Sequence, residues 1–328
     1  MKVVYFPAFE LNGAQHGGTL RTEQIYKHLC QSYGAANIDV HSLDLSLILR
    51  RFIFKCFINF FLLLPYFFRL SFKNYIKYCV CYTYVCCIDG LDDAHVVLEQ
   101  GANYTVFIGE ILANKKIKYD LYPHNIEFCV ANQTLPDDGE FYVFIKISLK
   151  FASKVFVISS FDLAICNIFN ENVFLFEYAY NKQSINEQVN KVELPDMDKL
   201  SFLEEHIKYF ITFGSFYNPP TKKSLFKLAS SFNKLNFPDD RKLIITGFGS
   251  DEFLNMDYEN VKFIGEVSDE VLSLLIENSD GVLLYQTPTT GWLTKIDDII
   301  RFNKPVFLNR SYIQAKDKFK DRIHFYDL

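Results

Sequence analysis

Lys295 and Asp298 are the residues of this 328-residue chain whose types and spacing most directly suggest chemistry. They stand three apart in the stretch Tyr285 to Val306, YQTPTTGWLTKIDDIIRFNKPV, and on a helix that spacing puts both on one face. A cation able to meet a diphosphate, beside a carboxylate able to meet ribose hydroxyls, is the pair a nucleotide site needs. The surrounding residues predict elements that hold such a pair. The apolar run GVLLY reads as a buried strand, and Gln286 to Gly291 as a polar loop. Leu293, Ile296, Ile299 and Ile300 recur at helical spacing, Asn303 and Pro305 close the element, and Val306 to Leu308 reads as the next strand. Strand, loop, helix, strand is the unit of a parallel sheet, whose ligands bind beyond the carboxyl ends of the strands. A helix beginning just after Gly291 also offers free N–H groups to a phosphate.

Glycines recur directly after other predicted strands of the second half. Tyr209 to Phe213 runs into Gly214-Ser215, Lys242 to Thr246 into Gly247, and Val261 to Ile264 into Gly265. Glycine lets a backbone approach a ligand closely. Ser268 is placed to cap a helix over Asp269 to Asn278. In the first half, the strand Lys2 to Phe9 leads into a loop ending at Gly17-Gly18-Thr19, with a helical pattern after it and Arg21 in its first turns. The loop is not a G-x-G-x-x-G dinucleotide fingerprint. Ile117 to Tyr122 predicts a strand that ends at Pro123-His124-Asn125-Ile126-Glu127, so His124, Asn125 and Glu127 lie where a site is expected. Ala152 to Ser160 reads as a helix end, a strand and a serine cap, and Val173 to Tyr178 as the last strand of that half.

The order of these motifs resembles the GT-B glycosyltransferases, specifically glycosyltransferase family 4. The family's donor segment matches at Gly291, Lys295, Asp298 and Lys304-Pro305-Val306. Its paired glutamates fall on Thr290 and on Asp298, and the arginine that often follows the first glycine is replaced by Ser215, for which Lys222 or Lys223 could substitute. The resemblance implies two Rossmann-like domains with parallel sheets facing an interdomain cleft. It implies transfer of a hexose from a nucleoside diphosphate sugar to a hydroxyl of a glycan or lipid-linked acceptor, with retention, in cell-surface polysaccharide synthesis. On that basis Gly17, Gly18, Gly214, Ser215, Gly247, Thr290, Gly291, Lys295 and Asp298 bind the donor. His124 touches the donor sugar, and Arg21, Asn125 and Glu127 face the acceptor. Lys295 and His124 would carry catalysis without a metal or other cofactor. The expected domains are residues 1–180 on the acceptor side, a polar linker at 181–200 and a donor domain at 201–328.

Composition narrows the partners. A formal charge of −5 makes no global case for nucleic acid. The eight cysteines lack zinc spacing and no D-x-D suited to a nucleotide-bound metal is read, so no metal is expected. The first residues, MKVVYFPAF, are too short an apolar run for a signal peptide. Residues 45–88 hold Arg50, Arg51, Lys55, Arg69, Lys73 and Lys77, no acid, and the aromatic run FIFKCFINFFLLLPYFF. Lys55 and Pro65 interrupt that run, which argues for a surface element on anionic lipid through residues 50–77 rather than a span. A cytoplasmic protein peripheral on the inner membrane face is the expectation. Two alternatives stand beside the transferase. One is a non-catalytic GT-B partner of another transferase. The other is a nucleotide-sugar 2-epimerase-like enzyme, for which the first half offers few acids, Glu10 and Glu127.

Overall fold

The computed structural model describes residues 1–11, 17–44, 48, 50–101, 104–126, 129, 138–178, 207–235, 237–238, 240–285, 292–313, 315–319 and 321–327. The chain forms two compact units, the first holding strands β1–β6 and the second β7–β12. Every strand pairing within the two six-stranded sheets is parallel. The expected α/β class with two Rossmann-like domains is therefore the fold observed. The expected linker at 181–200 lies outside the described residues.

In the first unit the strands are β1 (Val3–Phe6), β2 (Ile38–Val40), β3 (His95–Gln100), β4 (Tyr119–Pro123), β5 (Lys154–Val157) and β6 (Val173–Leu175), in the spatial order β2-β1-β3-β4-β5-β6. Both faces of this sheet are covered, which is why β1 reads as an unbroken apolar run. Val4 and Phe6 pack on one face with Leu98, Tyr78 and Phe107, whereas Val3 and Tyr5 pack on the other with Ile25 and Leu29. Ile25 and Leu29 belong to α1 (Gly17–Tyr33). The remaining helices include α2 (Ile53–Leu62), α3 (Leu64–Phe67), α4 (Phe72–Cys86), α5 (Thr105–Asn114), α6 (Asp138–Phe151) and α7 (Ser160–Cys166). Ser159 caps α7 as the sequence suggests, its hydroxyl accepting from the Asp162 N–H at 3.1 Å.

The aromatic stretch forms α2, a turn at α3, and α4. Cys56 and Leu63 of this stretch are buried, and Asn59 donates to Thr83 at 2.8 Å. Phe54, Phe57, Ile58, Phe61 and Leu62 occupy the opposite side and are exposed, Phe54 by 83%. The element is thus apolar on two faces, and only one of them meets the core. Tyr66 and Tyr78 moor it by donating to the buried Glu110 of α5 at 2.7 and 2.6 Å. Among the described residues no helix is long and apolar enough to cross a membrane.

In the second unit the strands are β7 (Lys208–Phe213), β8 (Arg241–Thr246), β9 (Val261–Phe263), β10 (Gly281–Leu284), β11 (Val306–Asn309) and β12 (Ile323–Tyr326). Their spatial order is β12-β11-β10-β7-β8-β9. Counted from β7, this is the 3-2-1-4-5-6 order of a dinucleotide-type sheet, with its switch point between β7 and β10. The helices are α8 (Pro219–Ser231), α9 (Asp269–Asn278), α10 (Lys295–Ile300) and α11 (Ala315–Phe319). Pro219 and Pro220 occupy the first turn of α8, where a missing N–H costs nothing. The Ser268 hydroxyl accepts from the Val271 N–H at 3.3 Å and caps α9.

Candidate functional site

Lys295 opens α10 and reaches back to the switch point of the second sheet. Its Nζ donates to the Phe213 carbonyl, the last residue of β7, at 3.1 Å. Thr212, Thr221, Ser224, Leu225 and Tyr285 line a small recess with it. Burial pushes the ammonium down to about 8, and no carboxylate pairs with it among the described residues. A desolvated cation held by one carbonyl at a strand's carboxyl end is an unmet demand for an anion.

The glycines close the recess by backbone contact. A Cβ on Gly214 would lie 2.6 Å from Thr221 Cγ2 and 3.7 Å from Lys295 Nζ, so the absent side chain keeps the ammonium open. Gly247 has φ +135°, and a Cβ there would lie 2.2 Å from the Gly214 carbonyl oxygen. Gly247→Ala is therefore expected to cost at least about 2 kcal/mol from backbone strain and crowding, lowering the melting temperature by several degrees. An unchanged melting curve would show that β7 and β8 do not meet so closely. Ser215 is half-buried beside Gly214, and Lys222 lies 4.8 Å over the Phe253 ring.

Asp298 shares the α10 face with Lys295, and burial raises its carboxyl to about 6, partly offset by Arg301. Its neighbour Asp297 is buried and ion-paired with Lys318 at 2.6 Å. One expectation requires correction. The helix begins at Lys295 rather than just after Gly291 and runs for six residues. The Leu293 N–H donates to the Tyr312 hydroxyl at 2.6 Å. Thr290 and Gly291 lie outside the described residues.

At the carboxyl edge of the first sheet the structure assembles a second cluster. His124 follows β4, is buried, and its Nε2 lies 2.8 Å from Glu99 Oε2. Glu99, near the end of β3, has no exposed surface. It also accepts from the Thr22 hydroxyl at 2.6 Å, from the Ala8 N–H at 3.1 Å and from the Tyr5 hydroxyl. Burial pushes its carboxyl up, and the bonds from His124 and Ala8 draw it back. The sequence reading missed Glu99. Its signal was an acid in the otherwise apolar strand HVVLEQ, just before a glycine.

The remaining predicted residues fall as follows. Asn125 lies half-buried next to His124, and Glu127 is outside the described residues. Gly17 and Gly18 are not loop residues but the first turn of the 17-residue α1. Arg21 does not face outward. It is 1% exposed, donates to Gln24 at 2.7 Å and the Phe176 carbonyl at 2.6 Å, and stacks 4.6 Å over the Phe176 ring. Burial lowers its guanidinium to about 9, and its position ties α1 to the chain beyond β6.

Two Rossmann-like units in series, with polar clusters at the carboxyl edges of both sheets, define the GT-B class of fold. Compared by sequence, the chain matches no protein-family model and no curated protein. Solved structures do match it. An α,α-trehalose-phosphate synthase (UDP-forming) from Burkholderia xenovorans, in complex with glucose-6-phosphate, is similar with a TM-score of 0.57 and 10% identity, over 99% of this chain and 89% of that one. Sucrose-phosphate synthase from Thermosynechococcus elongatus is similar with a TM-score of 0.57 and 12% identity, over 100% of this chain and 86% of that one. MnaA of S. aureus in a structure with UDP is similar with a TM-score of 0.51 and 14% identity, over 98% and 82%. At these identities the likeness is one of fold.

Proposed function

We propose that the chain is a glycosyltransferase that moves a sugar from a nucleoside diphosphate sugar to a hydroxyl of a glycan or lipid-linked acceptor. The observation that carries this reading is Lys295, a desolvated cation at the switch point of the second sheet with no carboxylate partner among the described residues. In the transfer the bond from the anomeric carbon to the diphosphate oxygen breaks, the acceptor oxygen takes its place, and the hydroxyl proton passes to the departing diphosphate. Negative charge grows on the leaving diphosphate, and Lys295 meets it in a site that needs no reorganisation. Asp298 takes the ribose hydroxyls, and the exposed Tyr217 and Phe248 rings, 5.0 Å apart beyond β7 and β8, offer a stacking face to a base. The UDP in the MnaA structure and the UDP-forming synthase support this reading. Retention at the anomeric carbon belongs to the same proposal and rests on the family resemblance. Because Lys295 supplies the charge, transfer is expected to survive EDTA with no added divalent ion. A strict manganese requirement would contradict that role.

The exposed aromatic face of α2–α3 and the exposed cations beside it support peripheral association with an anionic membrane surface, where a lipid-linked acceptor would reside. We include that peripheral association, and a role in cell-surface polysaccharide synthesis, in the proposal. A second reading, a nucleotide-sugar 2-epimerase-like enzyme, is favoured by one observation, the buried acid Glu99 beside His124. Incubation with a nucleotide sugar in deuterated water, without acceptor, separates the two. Deuterium entering the sugar ring supports the epimerase; transfer only when an acceptor is added supports the transferase.

A further inference from the structure

Glu99 is held by donors from three directions. Tyr5 and Ala8 come from β1 and the residues after it, Thr22 from α1, and His124 from the end of β4. Its Oε2 alone receives the Thr22 hydroxyl at 2.6 Å, His124 Nε2 at 2.8 Å and the Ala8 N–H at 3.1 Å. The Ala8 N–H can only donate. Donors on Oε2 favour its carboxylate form, and a carboxylate oxygen takes the hydrogen of the His124–Glu99 bond from Nε2. A neutral imidazole with its hydrogen on Nε2 has its lone pair on Nδ1. The Phe9 ring, with its centroid 5.3 Å from that of His124, packs against the imidazole and restricts its rotation.

We infer that Glu99 is a positioning residue for His124: it fixes the ring with Nδ1 as a hydrogen-bond acceptor, so that the ligand group His124 receives is a hydroxyl rather than a phosphate or carboxylate oxygen. The inference rests on the transferase reading for its consequence, namely that His124 engages a sugar hydroxyl and not the diphosphate. Glu99 acts on the substrate only through His124, as the buried aspartate of a serine protease orients its histidine.

The test uses the full chain with 15N-labelled histidine side chains, His124 being assigned by His124→Asn. In the unliganded wild type, the hydrogen of the His124–Glu99 bond is expected on Nε2. Glu99→Met should lower turnover at least tenfold, while KM for the donor changes less than threefold. Glu99→Gln can place its amide oxygen where Oε2 stood and should restore most of the turnover. A hydrogen on Nδ1 in the wild type, alone or in addition to Nε2, overturns the inference, as does a Glu99→Met protein with unchanged tautomer and turnover. A wild-type hydrogen on Nδ1 overturns the inference even if Glu99→Met does not fold. Because that spectrum needs no substrate, a failure of the transferase reading would show separately, as absent transfer with the expected tautomer intact.

Discussion

Lys295→Ala is expected to weaken nucleoside diphosphate binding tenfold to a hundredfold and to slow transfer by more than that. A charge-assisted hydrogen bond is worth about 1.5–3 kcal/mol, and each factor of ten about 1.4 kcal/mol. Transfer suffers further because leaving-group charge is larger in the transition state than in the bound donor. The pH dependence has a definite sign. The ammonium is the binding form, and with Lys295 held at about 8, diphosphate affinity should fall as pH rises through that value. Asp298 binds as the carboxylate and is raised to about 6, so nucleoside affinity should fall as pH drops through 6. A plain nucleoside carries no phosphate, and its acid limb therefore reports Asp298 alone. Stability runs the other way from function. Between about 8 and the ordinary lysine value of 10.5 the native state binds fewer protons than the unfolded state, so stability rises with pH there. At neutral pH the buried ammonium costs stability, and Lys295→Met should raise the melting temperature of the unliganded protein while removing diphosphate binding. Calorimetry with nucleoside and nucleoside diphosphate in parallel, beside thermal melts, checks both halves. A Lys295 variant that binds diphosphate like the wild type would show that the phosphates lie elsewhere.

The second large effect concerns α2. Phe54, Phe57 and Phe61 project from its outer face, exposed by 83%, 63% and 54%, so replacing all three with Ser should leave the fold intact. Burying an apolar side chain contributes about 1.5–3 kcal/mol, so their loss should reduce binding to anionic vesicles at least a hundredfold. Reversing Arg50, Arg51 and Lys55 to Glu should act on the same equilibrium through charge, each cation contributing about 1 kcal/mol near an anionic surface. The charge variant's deficit should shrink in high salt and the aromatic variant's should not. Vesicle co-sedimentation reads both. Unchanged binding in either variant would remove the membrane from the account.

The sequence revealed most of the second unit because its signals are local. Apolar runs ending in glycine at Gly214, Gly247 and Gly265 coincide with the carboxyl ends of β7, β8 and β9, and parallel strands buried on both faces have no other way to read. Lys295 was legible for the same reason. What failed was long-range. Glu99 gains its meaning from Tyr5, Thr22 and His124, which lie 94, 77 and 25 residues away, and nothing near it in the chain announces those partners. Arg21 follows a glycine pair and so suggested a ligand contact, but the Phe176 carbonyl that captures it lies 155 residues on. The start of α10 was misplaced because an apolar period continues through Leu293, although the helix itself begins only at Lys295. The final strand β12 went unread because the short alternating run IHFY is too brief to stand out without the neighbouring β11.

The central claim is that Lys295 awaits a diphosphate. It is tested most directly by titrating the wild-type chain with a nucleoside diphosphate at pH 8 in two buffers of different ionisation enthalpy. With Lys295 at about 8, half of the molecules carry the ammonium before binding and nearly all should carry it afterwards. The account predicts net uptake of about half a proton per diphosphate bound, lost in Lys295→Ala and absent with the nucleoside. Binding without proton uptake, or no binding of any nucleoside diphosphate at millimolar concentration, would contradict it, and the second result would make the chain a non-catalytic partner of another transferase.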